Sequence, residues 1–160
     1  DGNALTEVTD SKKWETEKAP AYCSYNNSKE KSANGLLYNH KAVATKKICP
    51  QGWEVASDSA WADLARSFNG EAKAGIALKS QTGWEGQEAT NASGFSALPS
   101  GFREKDGKYY IMGENGLWWS ATEHNADNSM YVYIDKNTSL NHSHISRQDG
   151  LSIRCVKEVK

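Results

Sequence analysis

The clearest periodic pattern of apolar residues lies between residues 57 and 70. Four apolar side chains recur there at the i, i+3, i+4 and i+7 spacing of one helix face: Trp61, Leu64, Ala65 and Phe68. Ser57 stands where an N-cap residue belongs, and Asn69-Gly70 follows the stripe. The pattern therefore predicts a helix that begins after Ser57 and ends with Gly70 as its left-handed C-cap. Just before it, Trp53 and Val55 alternate as residues on one face of a strand do.

Two further helices are predicted nearer the N-terminus. Thr9 or Asp10 can cap a short helix that is anchored by Trp14, and Pro20 stops it. Residues 22–25 are typical of a short strand, and residues 35–45 are predicted to form the next helix. The apolar positions of that helix are less regularly spaced than those of the helix after Ser57.

The second half of the chain is predicted to consist mainly of short strands. Residues 79–94 have the composition of a long loop, with Trp84 in its middle. Strand-like segments follow at 95–99, 101–103, 108–112, 116–122, 130–134 and 151–156, and Asp106-Gly107 is a favoured hairpin turn. Two to three helices followed by antiparallel strands indicate an α+β domain.

Composition narrows the class of protein without revealing a function. The 160 residues suit one domain with one core, to which six Trp and seven Tyr bring large apolar areas. The net charge is −1 with acids and bases interspersed, so we expect no nucleic acid and no anionic membrane surface as partner. The apolar runs are too short for a membrane span. The chain opens at Asp1 rather than at Met, so we expect a trimmed or processed piece.

Three cysteines are present, and no two have the spacing of a redox or zinc motif. Cys49 precedes the predicted main helix and Cys155 lies in the last predicted strand, so a disulfide between them would join the start of the core to its end. In the loop-entropy model such a bridge stabilises the fold by about 4–5 kcal/mol. A reduced and buried pair is the alternative, and an extracytoplasmic location favours the disulfide, with Cys23 free.

Several short phrases follow one another in a recognisable order. They are PAYC at 20–23, GLLYN at 35–39, AVAT at 42–45, CPQGW at 49–53, SDSAW at 57–61, ATNASGFSALP at 89–99, WWSATE at 118–123 and SIRCV at 152–156. Together they resemble the Fibrobacter succinogenes major paralogous domain, a family of exported and surface proteins of Bacteroidetes and Fibrobacteres. The resemblance covers essentially the whole of 1–160, and it implies that an upstream N-terminal segment of the family is missing here.

That family is similar in motif order to C-type-lectin-like domains. The resemblance implies a C-type-lectin-like fold, with a Trp-bearing helix, a long loop region before a Trp-rich strand and an Arg-Cys-Val closing strand. Calcium-dependent lectins of that fold carry Glu-Pro-Asn or Gln-Pro-Asp in the long loop and Trp-Asn-Asp in the next strand. Neither triplet occurs in this chain, and WSATE at 119–123 replaces the second. Calcium-mediated sugar binding is therefore not implied.

The candidate ligand-binding residues come from the loop and from the polar segment before Cys155. Trp118 and Trp119 point to opposite faces of their strand, and we assign both to the core. Adaptable polar and Tyr side chains on a rigid frame are the usual composition of a recognition surface. The candidates are Trp84, Glu123, His124, Asn125, Tyr131, Tyr133, Asn141, His142 and His144.

Metal and catalytic interpretations of the same segment are weaker. His142 and His144 share a strand face, where Asp149 or His124 would complete a metal site, and Glu123, Asp127, Asn128 and Asp135 offer oxygens for calcium. Neither set matches a known spacing, and Cys23 with His40 lacks an orienting third group for catalysis. We expect no catalytic residues, no metal and no cofactor.

The sequence thus favours a non-catalytic surface or secreted domain that binds a glycan or a cell-surface protein outside the cytoplasm. The alternative is a structural or assembly domain of a larger bacterial surface lipoprotein, without a small ligand of its own.

Overall fold

A computed structural model describes residues 5–30, 34–86 and 88–157. The helices within these ranges are α1 (Ser11–Thr16), α2 (His40–Ala44), α3 (Asp58–Ser67) and α4 (Glu71–Leu78), with a 3₁₀ turn at Tyr25–Asn27. The strands are β1 (Thr6–Glu7), β2 (Ala21–Cys23), β3 (Leu37–Tyr38), β4 (Trp53–Val55), β5 (Phe102–Arg103), β6 (Tyr109–Tyr110), β7 (Gly116–Glu123), β8 (Asn128–Ile134), β9 (Leu140–Ser146) and β10 (Cys155–Lys157).

The longest strands form an antiparallel sheet in the order β7-β8-β9. Trp118 lies opposite Val132, which lies opposite His142, so these three side chains share one face. A second sheet has the order β1-β2-β3, and β4 with β10 and β5 with β6 form two-stranded ladders. Most helices precede the antiparallel sheet, and the class is α+β, as predicted.

Both faces of the β7-β8-β9 sheet carry a hydrophobic core. On one face, helices α3 and α4 pack against the strands, and the buried residues include Trp61, Ala65, Leu78, Trp118, Val132, Ile134 and Leu140. The opposite face buries Val43, Val55, Leu117, Trp119 and Leu151. The prediction that Trp118 and Trp119 both belong to the core is therefore confirmed, since each ring fills a different cluster.

A third cluster gathers the N-terminal segment around a buried arginine. Arg103 is 0% exposed, and its guanidinium donates to the carbonyl oxygens of Val8, Thr9 and Gly107 at 2.6, 3.1 and 3.0 Å. Its Cζ lies 4.5 Å from the ring centre of Trp14 and 4.9 Å from that of Tyr109. Trp14 anchors α1 as predicted, with Asp10 as the N-cap: its Oδ1 accepts from the Lys13 N–H at 2.8 Å.

The prediction for α3 is confirmed at its start and corrected at its end. The Ser57 hydroxyl accepts from the Ala60 N–H at 3.3 Å, which is N-cap geometry. The helix stops at Ser67, and the left-handed residue that ends it is Asn69, with a φ of +67°. The Gly70 N–H then bonds back to the Ala65 carbonyl at 2.9 Å, which closes a Schellman motif. Gly70 itself becomes the N-cap of α4, a helix that sequence analysis did not assign.

The predicted helix over 35–45 is wrong in its first half. Leu37 pairs with Cys23 as part of β3, and α2 begins only at His40. The cause is Asn39, whose Oδ1 accepts from the Ala42 N–H of α2 and from the Ala21 N–H of β2. The Asn39 side chain therefore caps α2 and also holds strand β2. Local spacing does not reveal the contact with β2.

The predicted strand over 95–99 is also wrong. Asn91 accepts from the Ser96 N–H at 2.8 Å and donates to the Ser96 hydroxyl at 2.9 Å, and Ser96 has a φ of +54°. This left-handed residue interrupts the extended backbone, so only Ala97 makes a single bridge, to Lys79. The segment remains part of the loop between α4 and β5.

The other strand predictions are confirmed in outline. The Asp106-Gly107 turn joins β5 to β6, while β7 and β8 extend the segments predicted at 116–122 and 130–134. Of the segment predicted at 151–156, only the last residues form a strand, which is β10 paired with β4. Leu151 and Ser152 each make a single bridge. Sequence analysis did not delimit β9, whose polar side chains give a weak strand signal.

Cys49 and Cys155 form a disulfide, as the sequence predicts, and Cys23 is a buried free thiol. The bridge spans a sequence separation of 106 residues and joins the turn before β4 to β10. Within the described ranges, no helix is both long and apolar enough to cross a bilayer.

We predict that Trp61→Ala lowers the free energy of unfolding by about 3–5 kcal/mol, the cost of emptying a buried aromatic site. Trp61 is 1% exposed, and its ring lies 5.9 Å from that of Trp118 and 5.7 Å from that of Phe95. Urea denaturation measures the change. Trp61→Phe is the matched control and should lose less, because the indole N–H has no hydrogen-bond partner among the described residues. A loss below about 1 kcal/mol for the alanine variant would contradict this packing.

We also predict that non-reducing peptide mapping finds Cys49 linked to Cys155, with Cys23 reactive towards alkylation only after denaturation. Reduction should lower the free energy of unfolding by about 4–5 kcal/mol, because the open chain regains loop entropy. Recovery of three reactive thiols under oxidising conditions would rule the bridge out.

Candidate functional site

Strand register divides the candidate residues between the two faces of the β7-β8-β9 sheet. Tyr133 lies opposite Asn141 and Tyr131 lies opposite Ser143, so these side chains share the face of Trp119. His142 and His144 belong to the other face, together with Trp118 and Val132. The residues proposed from sequence as one surface therefore form two.

The first group is the tyrosine face, defined by Tyr131, Tyr133, Asn141 and Ser143. All four residues are half-buried, and the two tyrosine rings lie 5.7 Å apart at an interplanar angle of 31°. Helices α3 and α4 pack on the opposite side of the sheet, whereas the two tyrosine rings lie against the hydrophobic cluster that contains Trp119. Burial raises the pKa of Tyr131, whereas its hydrogen bond with Ser143 lowers it. The phenol thus stays neutral and can donate a hydrogen bond at physiological pH.

The histidine face has structural contacts of its own. His142 Nδ1 lies 3.6 Å from Asp58 Oδ2, and His142 Nε2 lies 3.4 Å from Glu71 Oε1. These contacts connect β9 to the first turns of α3 and α4. His144 stacks on His124 with ring centres 4.1 Å apart and an interplanar angle of 4°.

The turn between β7 and β8 is held by its own polar groups. Asn125 Oδ1 accepts from the N–H groups of Asp127 and Asn128 at 3.0 and 2.8 Å. Glu123 pairs with Arg147 at 3.2 Å, although its side chain remains 64% exposed. Asn125 therefore shapes the turn, while Glu123 retains an accessible carboxylate.

Trp84 belongs to neither face of the sheet. Its indole Nε1 donates to the Ala97 carbonyl at 2.9 Å, and Lys79 Nζ lies 4.9 Å from its ring centre. The half-buried ring packs against the core beside α3 and α4. These contacts anchor the loop between α4 and β5, and a role of Trp84 in ligand binding stays a prediction.

The described part of the chain contains no group of three or more His, Cys, Asp or Glu residues arranged to hold a metal ion. Burial raises the pKa of the Cys23 thiol, which disfavours the thiolate that a nucleophile requires.

A pocket that no sequence pattern indicated lies beside the disulfide. Its volume is about 300 Å³, and the residues that line it come from α2, the turn before β4, β4 and the end of β7: His40, Val43, Ala44, Lys46, Ile48, Cys49, Trp53, Glu54, Val55, Ala121 and Glu123. Trp53 is 43% exposed, although a Trp in a strand next to Val55 suggests burial. Its exposure could have been anticipated from its position directly after the Pro50-Gly52 turn, at the start of β4.

His40 lies between this pocket and the sheet. It is 2% exposed, its ring meets that of Trp119 edge-on at 5.1 Å, and neither ring nitrogen has a well-formed hydrogen bond within the described chain. Burial, and then the charge of Arg147, lower the pKa of His40 to about 4. The imidazole is therefore neutral at physiological pH.

Asp149, which follows the C-terminal end of β9, shows the opposite shift. Burial, reinforced by the charge of Glu104, raises the pKa of Asp149 to about 7, although its carboxylate accepts from the Lys105 N–H at 2.5 Å. Both buried groups favour their neutral forms.

The comparisons with known proteins identify the family. The model of the Fibrobacter succinogenes major domain matches residues 1–157, and the chain belongs to this family. No curated protein and no solved structure matches.

We predict opposite pH dependences for two variants. Folding lowers the pKa of His40 from 6.5 to about 4, so its contribution to stability is complete above pH 6.5 and is lost as the pH falls towards 4. Folding raises the pKa of Asp149 from 3.8 to about 7, so its contribution is complete below pH 3.8 and is lost as the pH rises towards 7.

Between pH 4 and pH 6.5 the two effects oppose each other. As the pH falls, the free energy of unfolding of His40→Phe should rise relative to that of wild type. That of Asp149→Asn should fall relative to that of wild type. Urea unfolding across this range measures both slopes. Parallel profiles for the two variants would show that these groups do not titrate as buried neutral residues.

Proposed function

We propose that this domain is a non-catalytic binding module of a surface or secreted bacterial protein, and that it recognises a glycan through the tyrosine face. The observation that carries the proposal is the pair of half-buried rings of Tyr131 and Tyr133 beside Asn141 and Ser143, on a side of the sheet that α3 and α4 do not cover.

The chemistry of this face suits sugars. Tyrosine rings offer apolar area to the C–H face of a pyranose while their hydroxyl groups stay available for hydrogen bonds. The Asn141 amide and the Ser143 hydroxyl add donors and acceptors on the next strand. A rigid sheet holds these groups in fixed positions, so less conformational entropy is lost on binding.

The order of elements supports a C-type-lectin-like arrangement. A helix with a buried Trp precedes a long loop, a Trp-rich strand follows, and the terminal strand β10 pairs with β4. The calcium-binding triplets of such lectins do not occur in the sequence. Recognition at the tyrosine face therefore proceeds without calcium.

The disulfide supports an extracytoplasmic location, because such bridges persist mainly in oxidising compartments. A second candidate function is assembly within a larger surface lipoprotein. The position of β9 at the end of the β7-β8-β9 order favours it, because an edge strand can pair with a strand of another chain or domain.

We predict that the wild-type domain binds members of a panel of plant and host glycans equally well with and without EDTA. Tyr133→Ala or Asn141→Ala should weaken that binding at least tenfold, about 1.4 kcal/mol, by removing apolar contact or a hydrogen bond. Isothermal titration calorimetry measures the affinity, and the melting temperature of Asn141→Ala should stay within a few degrees of wild type.

The matched control is His142→Ala/His144→Ala, which alters the opposite face of the same sheet. It should retain the glycan affinity. Loss of binding in the control alone would transfer the site to the histidine face. Failure of every glycan to bind would overturn the proposal and favour the assembly function.

A further inference from the structure

We infer that the pocket beside the Cys49–Cys155 disulfide is a second ligand site, which binds one neutral sugar ring stacked on Trp53. This site uses none of the residues of the tyrosine face, and it stands whether or not that face binds a glycan.

The exposure of Trp53 is the first observation. Trp14, Trp61, Trp118 and Trp119 are at most 2% exposed, whereas Trp53 is 43% exposed. An indole contributes most to folding when it is buried, so this ring is left outside the core. Trp53 is also one of the residues that line the pocket.

The backbone of Trp53 is held in place. Its N–H donates to the Pro50 carbonyl at 2.9 Å, and Trp53 pairs with Lys157 in the β4–β10 ladder. The disulfide joins Cys155, which lies opposite Val55, to the preceding turn. The backbone that carries the indole is thus fixed before a ligand arrives, which lowers the entropic cost of binding.

The floor and rim of the pocket differ in polarity. Val43, Ile48 and Cys49 provide apolar surface, while Glu123 brings an exposed carboxylate to the lining. Arg147 orients the Glu123 carboxylate from 3.2 Å away. Carboxylate oxygens are strong acceptors for sugar hydroxyl groups.

The balance of charge selects a neutral ligand. Glu123 is compensated by Arg147, and Lys46 stands in the same pocket as Glu54. His40 adds no charge, because its ring is neutral at physiological pH. A purely apolar ligand would desolvate the Glu123 carboxylate without giving it a hydrogen bond, which is costly.

The size of the pocket limits the ligand to a short one. A volume of about 300 Å³ lies at the lower end of the range for small-molecule sites. One ring stacked on Trp53, with hydroxyl groups directed towards Glu123, satisfies the apolar and the polar lining together.

The test uses the whole domain and a panel of methyl glycosides of neutral hexoses and pentoses. The indole N–H signal of Trp53, identified in ¹H–¹⁵N NMR spectra by its loss in Trp53→Phe, should shift on titration with at least one glycoside. The affinity measured at other shifting signals should fall at least tenfold in Trp53→Ala and also fall in Glu123→Gln. Both variants should keep the fold, since their side chains are exposed.

Two control variants establish whether the glycoside binds in this pocket or elsewhere on the domain. Tyr110→Ala removes another exposed aromatic side chain, 37% accessible, and should leave the titration unchanged, as should Tyr133→Ala on the tyrosine face. The inference is overturned if no glycoside shifts the Trp53 signal, or if binding survives Trp53→Ala. It is equally overturned if tetramethylammonium shifts the signal and no glycoside does, because the pocket then selects cations.

Discussion

The buried guanidinium of Arg103 is the constraint that the assembly of this domain must satisfy first. A charge removed from water costs several kcal/mol unless hydrogen bonds replace its hydration, and none of the described carboxylates performs that task here. The replacements are carbonyl oxygens of Val8, Thr9 and Gly107, with the rings of Trp14 and Tyr109 against the cation. The N-terminal segment, α1 and the β5–β6 hairpin must therefore assemble together, because each supplies a contact that the charge requires.

The two faces of the β7-β8-β9 sheet are covered by other elements to different extents. Its α3 and α4 side is occupied by packing, so that His142 is drawn into contacts with Asp58 and Glu71. Its other side is filled at β7 by Trp119 and Leu117, yet only half covered at β8 and β9. Polar and aromatic side chains collect where the covering elements end. Both proposed ligand sites lie at the edge of the hydrophobic cluster that contains Leu117 and Trp119.

Elements with complete local signals were predictable, and elements defined by tertiary contacts were not. Ser57 and the stripe from Trp61 to Phe68 specify α3 without help from the rest of the chain. Asn39 caps α2 locally, but the same oxygen also accepts from the Ala21 N–H, and this distant contact is not encoded by any local pattern. The candidate residues of β8 and β9 were named from sequence, but the opposite directions of Asn141 and His142 divide them. Trp53 was placed in its strand correctly, whereas its exposure depends on what packs nearby.

The Cys49–Cys155 bridge has a mechanical consequence for a domain that is pulled from its C-terminal end. Tension that enters from the C-terminal end reaches Cys155 and passes through the covalent bond to the turn before β4. The load therefore bypasses the hydrogen bonds of the β7-β8-β9 sheet, all of which lie inside the closed loop. Only the segments outside that loop can be drawn out by force. Under tension, the surfaces formed by the sheet would keep their shape while the segments outside the loop extend.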